Sequence, residues 1–142
     1  MVKVLPNPVL KLSNLPKTWI IDVDGVIFPH NRYQKIRHGF ETPLPGVEDF
    51  FRRIPKEDFV LLVTSRTKNF REITVSSLKK AGIRYNLLLT GLPMGERIVI
   101  NDIKPSGLRT AYALNVVRDV GLAGITFQFE SPRDYRGLSR GV

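Results

Sequence analysis

Two largely apolar, β-favouring runs, Thr18-Trp-Ile-Ile-Asp-Val23 and Phe59-Val-Leu-Leu-Val-Thr64, constrain this chain more than any other feature. Both are too short to be buried as helices, both favour extended backbone, and both run into polar residues. A strand that is apolar on both faces must be covered on both faces, which is the situation of a parallel sheet. After the first run, Val47, Phe50, Phe51 and Ile54 recur at helical spacing with arginines on the other side. After the second, Phe70, Ile73, Leu78 and Ala81 do the same, with Asn69 placed to cap the start and Gly82 to stop the end. Buried strands alternating with helices predict an α/β domain with a parallel sheet.

The rest of the chain is organised around that core. Residues 1–16 contain Pro6, Pro8 and Pro16 and read as an irregular lead-in. Tyr85 to Leu89 and Ile98 to Asn101 read as two short strands joined by the loop from Gly91 to Gly95. Ser106 starts a predicted helix through Leu114, while Val116-Val117 and Ile125 to Phe129 are weaker strand candidates. This gives one domain over 17–130, with a frayed tail over 131–142. A chain of 142 residues with 42% hydrophobic content suits a single compact core.

Composition narrows the chemistry. No segment approaches the roughly 20 apolar residues of a membrane span, and Met1-Val-Lys-Val-Leu-Pro6 is no secretory signal, so a soluble, cytoplasmic protein without a membrane partner is expected. The absence of cysteine excludes disulfides, thiolate metal sites and a cysteine nucleophile, leaving hard oxygen ligands. Twenty-two lysines and arginines against 13 acidic residues give a formal charge of +9, which favours anionic partners. These positives are scattered in pairs such as Arg52-Arg53 and Lys79-Lys80, as on solvated helix faces. The exception is Arg32-Tyr-Gln-Lys-Ile-Arg-His38, where basic and aromatic side chains mix as in a substrate rim.

Ligand sites in parallel α/β folds lie at the carboxyl ends of the strands. The polar residues gather at those ends: Asp22 and Asp24, Thr64 to Arg66, and Asn101 to Lys104. Two aspartates one residue apart at the end of a buried strand repel each other and lose water, so something must offset them. Magnesium does so well, because it takes oxygen ligands and is bound by one or two carboxylates together with a substrate phosphate. Asp22 supplies one carboxylate, Asp24 a backbone carbonyl, and Asp102 a further carboxylate, while Gly25 lets the chain turn sharply away. An Asp-Gly pair alone would make only a turn, but a turn needs neither Asp22 nor Asp102.

These residues resemble the haloacid dehalogenase superfamily of phosphotransferases. Asp22-Val-Asp-Gly25 matches its first motif, Leu61-Leu-Val-Thr64 its second and Ile98-Val-Ile-Asn-Asp102 its fourth, over about Thr18 to Gly121. The resemblance implies a Rossmann-like three-layer α/β fold and a magnesium-dependent phosphomonoester hydrolase working through an aspartyl-phosphate. In it Asp22 is the nucleophile, Asp24 the general acid and then base, and Thr64 a hydrogen-bond donor to the transferring phosphoryl group. Asp102 completes the metal site. Arg66, at the same strand end as Thr64, is placed to bind the substrate's phosphate or leaving group or else to make a surface salt bridge. His30 and Asn31 fall where the family has its flap over the site, and with Gly25 and Ser65 they are the other candidate substrate contacts.

The third motif is different. Family members place a lysine before the fourth motif, and between Tyr85 and Asp102 there is none. Arg97 and Lys104 flank that strand and are the favoured replacements, with Lys79 and Lys80 further away. Val26 stands where threonine is commoner. Neither gap between motifs has room for a cap domain, so the site is expected to be capless and open, closed by a large substrate or by a neighbouring subunit of a homo-oligomer. The expected substrate is a sugar phosphate or a similar phosphorylated metabolite. A polynucleotide phosphatase is the alternative that the charge and the basic segment after the first motif would suit, and an inactive binding module of the same fold is a third reading.

Overall fold

The structure, a computed structural model, describes residues 7–30 and 41–131. In chain order its elements are β1 (Val9–Ser13), β2 (Thr18–Asp22), α1 (Val47–Arg53), β3 (Phe59–Val63), α2 (Arg71–Lys80), β4 (Leu87–Leu89) and β5 (Thr126–Glu130). The two apolar runs pair in parallel as β2 and β3, with Thr18 opposite Phe59 and Asp22 opposite Val63. β4 adds to the other edge of β3, also in parallel, giving the order β2-β3-β4. This fixed register sets the polar residues that follow β2 beside those that follow β3.

The core explains why these segments fold as they do. Val60 and Leu62 of β3 are fully buried, as are Val23, Ile27 and Phe28 after β2 and Leu78 on α2. Burying each such side chain contributes roughly 1.5–3 kcal/mol. Helix α1 buries Val47, Phe50 and Phe51, and its acidic first turn (Glu48, Asp49) and basic last turn (Arg52, Arg53) suit the helix dipole. Helix α2 begins after a 3₁₀ turn, Lys68–Phe70, so Phe70 and not Asn69 is its N-cap. Its buried face is Thr74, Ser77 and Leu78, and Gly82 follows its C-terminal end as expected.

The α/β class with parallel strands stands, and the strands are divided between two sheets. Part of the expected irregular lead-in forms β1, which pairs in parallel with β5 from Val9 opposite Thr126 to Ser13 opposite Glu130. Pro8 ends just before β1 and Pro16 lies beyond it, so neither removes a ladder hydrogen bond. Trp19 of β2, Phe50 of α1 and Phe127 of β5 pack ring against ring, with centroids 5.2–5.9 Å apart, and join the two sheets through one aromatic cluster.

Three expected elements do not form. Ile98 to Asn101 is irregular, pairs with no strand among the described residues, and leaves Ile98 and Ile100 more than four-fifths exposed. The expected helix from Ser106 to Leu114 is also irregular. Gly107 has φ +89°, its N–H bonds Lys104, and the N–H of Lys104 bonds Leu108 in a tight turn around Pro105. Val116-Val117 is not a strand, whereas the candidate at Ile125 to Phe129 is realised as β5. No helix of the described residues is long and apolar enough to cross a membrane. All of the expected tail over 131–142 except Ser131 lies outside the described residues, as do Asn31 and the basic segment Arg32 to His38.

Candidate active site at the ends of two parallel strands

Beyond Asp22 the chain makes a tight loop. The N–H groups of Ile27 and Phe28 both bond the carbonyl of Val23, and the N–H of Gly25 bonds the carbonyl of Phe28. Gly25 sits at φ +81°, a conformation that favours glycine, and a β-carbon there would press on Cγ of Arg118 at 3.0 Å. The buried Ile27 and Phe28 anchor the loop in the core. On its far side the N–H of Asp119 bonds Gly25, and the Asp119 carboxylate accepts the N–H of His30 at 2.6 Å.

The two aspartates have different partners. Asp24 accepts from the Thr64 hydroxyl through Oδ2 at 2.7 Å and from Nε of Arg66 through Oδ1 at 2.9 Å. Asp22 accepts the backbone N–H of Val23 at 3.0 Å, and among the described residues no side chain donates to it. Burial, and after it the charge of Asp24, pushes the Asp22 carboxyl above its ordinary range; the Val23 N–H and the charges of Arg97 and His30 act the other way.

Arg66 is almost wholly buried and its guanidinium is committed. Besides Asp24 it reaches Oε2 of Glu41 through Nη1 at 2.9 Å, Oε1 of Glu41 through Nη2 at 2.5 Å, and the Thr74 hydroxyl through Nη1 at 3.0 Å. Thr74 in turn donates a hydrogen bond to the carbonyl of Phe70 at 2.7 Å. Burial alone would ease the proton off Arg66, but the hydrogen bonds and charges of Glu41 and Asp24 outweigh it and hold the cation more firmly than usual. Burying a guanidinium demands such pairing. Arg66 therefore faces protein where a substrate contact was expected, and Glu41 and Thr74 enter the site unforeseen.

The remaining expected residues are spread. Thr64 is fully buried and spends its hydroxyl on Asp24, while Ser65 donates to the carbonyl of Pro93 at 3.3 Å. Arg97 is folded back on the carbonyls of Pro93 and Gly95, yet its charge is felt at Asp22. Asp22, Arg97, Asn101, Lys104 and Arg109 line one open cleft of about 880 Å³ that runs along β2. Asp102 lies in the exposed segment that follows, its carbonyl accepting the hydroxyl of Thr110. The structure brings together Asp22, Asp24, Thr64 and Arg66 and does not bring Asp102 to them; no group of three acidic or histidine side chains able to hold a metal ion occurs among the described residues. For a divalent cation the described residues offer the Asp22 carboxylate, which lacks a side-chain partner, and the backbone carbonyl of Asp24. That is a fitting start to an oxygen donor set that substrate and water would complete.

No family model matches the chain, and no curated protein matches it. Among solved structures it is similar to a chain of the Pnkp1/Rnl/Hen1 complex, at 26% identity and TM-score 0.48, covering 60% of this chain and 31% of that one. A chain of the Pnkp1/Rnl/Hen1 RNA repair complex is similar at 23% identity and TM-score 0.45, covering 56% and 27%. A Vibrio cholerae crystal-structure target is similar at 19% identity and TM-score 0.45, covering 66% and 84%. This chain spans less than a third of the length of the first two.

Proposed function

We propose that this chain is a magnesium-dependent phosphomonoester hydrolase of the haloacid dehalogenase type, with Asp22 as nucleophile. The observation that carries this reading is the unequal state of the two carboxylates: Asp24 is held by Thr64 and Arg66, and among the described residues no side chain donates to Asp22. A nucleophile needs free lone pairs, whereas a proton carrier needs a fixed position.

In the proposed reaction an Asp22 oxygen bonds to phosphorus as the ester P–O bond breaks, and the leaving oxygen takes a proton from Asp24. Asp24 then removes a proton from water, whose oxygen bonds to phosphorus. The aspartyl P–O bond breaks, releasing inorganic phosphate and restoring both carboxyls. Both oxygens of Asp24 accept hydrogen bonds in the structure, so carrying a proton requires Thr64 to turn its hydroxyl aside, toward the phosphoryl group. Magnesium, when bound by Asp22 and the Asp24 carbonyl, would neutralise phosphoryl charge.

A sugar phosphate or similar metabolite is the substrate class proposed first. A polynucleotide end is the second reading, favoured by Arg97, Lys104 and Arg109 in the same cleft as Asp22. A panel of phosphate esters and 3′- and 5′-phosphorylated oligonucleotides, assayed with and without magnesium beside Asp22→Asn, tests both. Turnover that needs magnesium and is lost in the variant is expected. Identical background in both proteins across the panel would sink the proposal.

A further inference from the structure

We infer that Glu41 and Arg66 are positioning residues that hold Asp24 at the angle its proton transfer requires. The inference rests on the phosphatase reading of the site. One guanidinium joins two carboxylates here: Nε meets Asp24 at 2.9 Å, and the two terminal nitrogens make a bidentate fork with Glu41. The Arg66 side chain is 4% exposed and that of Glu41 is fully buried, whereas the Asp24 side chain keeps 18% exposure. The chain of contacts thus leads from a closed interior to one group that solvent and substrate still reach. Thr74 on α2 completes it by accepting from Arg66, which ties the strand end to the helix packed beside it.

A surface salt bridge would do little, because its partners wander. A planar fork locked by a buried carboxylate cannot rotate without breaking two bonds, so Nε has one place to point, and Asp24 Oδ1 sits there. Thr64 holds the other oxygen until its hydroxyl turns aside for the proton, and Arg66 then remains as the fixed contact. Glu41 touches neither Asp22 nor, in this geometry, anything a substrate would reach; its effect on the reaction passes through Arg66.

Two variants test this with two substrates. Glu41→Gln breaks the charge pairing and keeps the shape. The double variant Glu41→Met/Arg66→Met removes the pair together, and apolar replacement of a buried ion pair commonly preserves folding where single removal does not. p-Nitrophenyl phosphate carries a leaving group that departs without a proton, whereas glycerol phosphate needs one. Hydrolysis of the aspartyl-phosphate uses Asp24 for both esters, so the first turnover separates them: mispositioned Asp24 predicts glycerol release slower by on the order of 100-fold in the folded double variant, with the nitrophenolate burst far less affected. An equal loss in both first turnovers would mean a merely structural pair, and an unchanged first turnover of glycerol phosphate would mean no role; either overturns the inference while the phosphatase reading survives. If the native protein turns over neither ester, both fall together.

Discussion

The hydroxyl of Thr64 donates to Oδ2 of Asp24 at 2.7 Å and so ties the residue after β3 to the loop after β2. The Thr64 hydroxyl oxygen itself accepts the backbone N–H of Arg66 at 3.1 Å. One buried hydroxyl therefore serves both the acid proposed to carry protons and the turn that presents the arginine holding it.

Thr64→Val keeps the shape of that side chain and removes its hydrogen bonds. It leaves a carboxylate oxygen and a buried N–H without a partner, at a cost of about 1–3 kcal/mol. Thr64→Ser retains the oxygen and should lose much less. Thermal unfolding of the two variants checks this, and equal stability of Val and Ser variants would show that the bond contributes nothing.

Asp22 ties stability to pH. Burial and then Asp24 raise its folded value above the ordinary 3.8. Its contribution to stability is therefore fully present below that ordinary value and is lost as pH rises through the raised folded one. Asp22→Asn carries no such charge. It should be more stable than the native protein at neutral pH, with the gap closing in acid, and saturating magnesium should stabilise the native protein but not the variant. Thermal midpoints from acid to neutral pH decide; a native protein more stable than the variant at neutral pH without metal would contradict the account.

A second buried carboxylate holds fold alone. Asp58 accepts the N–H of Lys17 at 3.0 Å and the indole N–H of Trp19 at 2.8 Å, and it is 2% exposed. Asp58→Ala orphans both donors and should cost about 2–3 kcal/mol. The fluorescence of Trp19, the single tryptophan, will report the altered surroundings. Any phosphatase activity per folded molecule should be unchanged.

The sequence makes β2 and β3 legible because short apolar, β-favouring runs pair as strands, and their polar ends then define Asp22, Asp24 and Thr64. Even so, β2 is only partly covered, with Ile20 46% exposed where a fully buried strand was expected. β1 is hidden because Val9–Ser13 is short, lies between prolines, and owes its order to a partner, β5, at the other end of the chain. Ile98 to Asn101 shows the reverse case: β-branched residues favour extension, but a strand needs a neighbour. Arg66 is visible as a charge at a strand end, yet its direction depends on Glu41 and Thr74, which only folding brings near. Glu41 carries no local signal that separates it from an ordinary surface acid.

The central claim is that Asp22 becomes covalently phosphorylated. Quenching turnover with borohydride reduces an aspartyl-phosphate to homoserine, which peptide mass spectrometry locates. The account predicts homoserine at position 22 that depends on substrate and magnesium and is absent from Asp22→Asn. Hydrolysis that proceeds with position 22 unmodified and at the native rate in Asp22→Asn would contradict it.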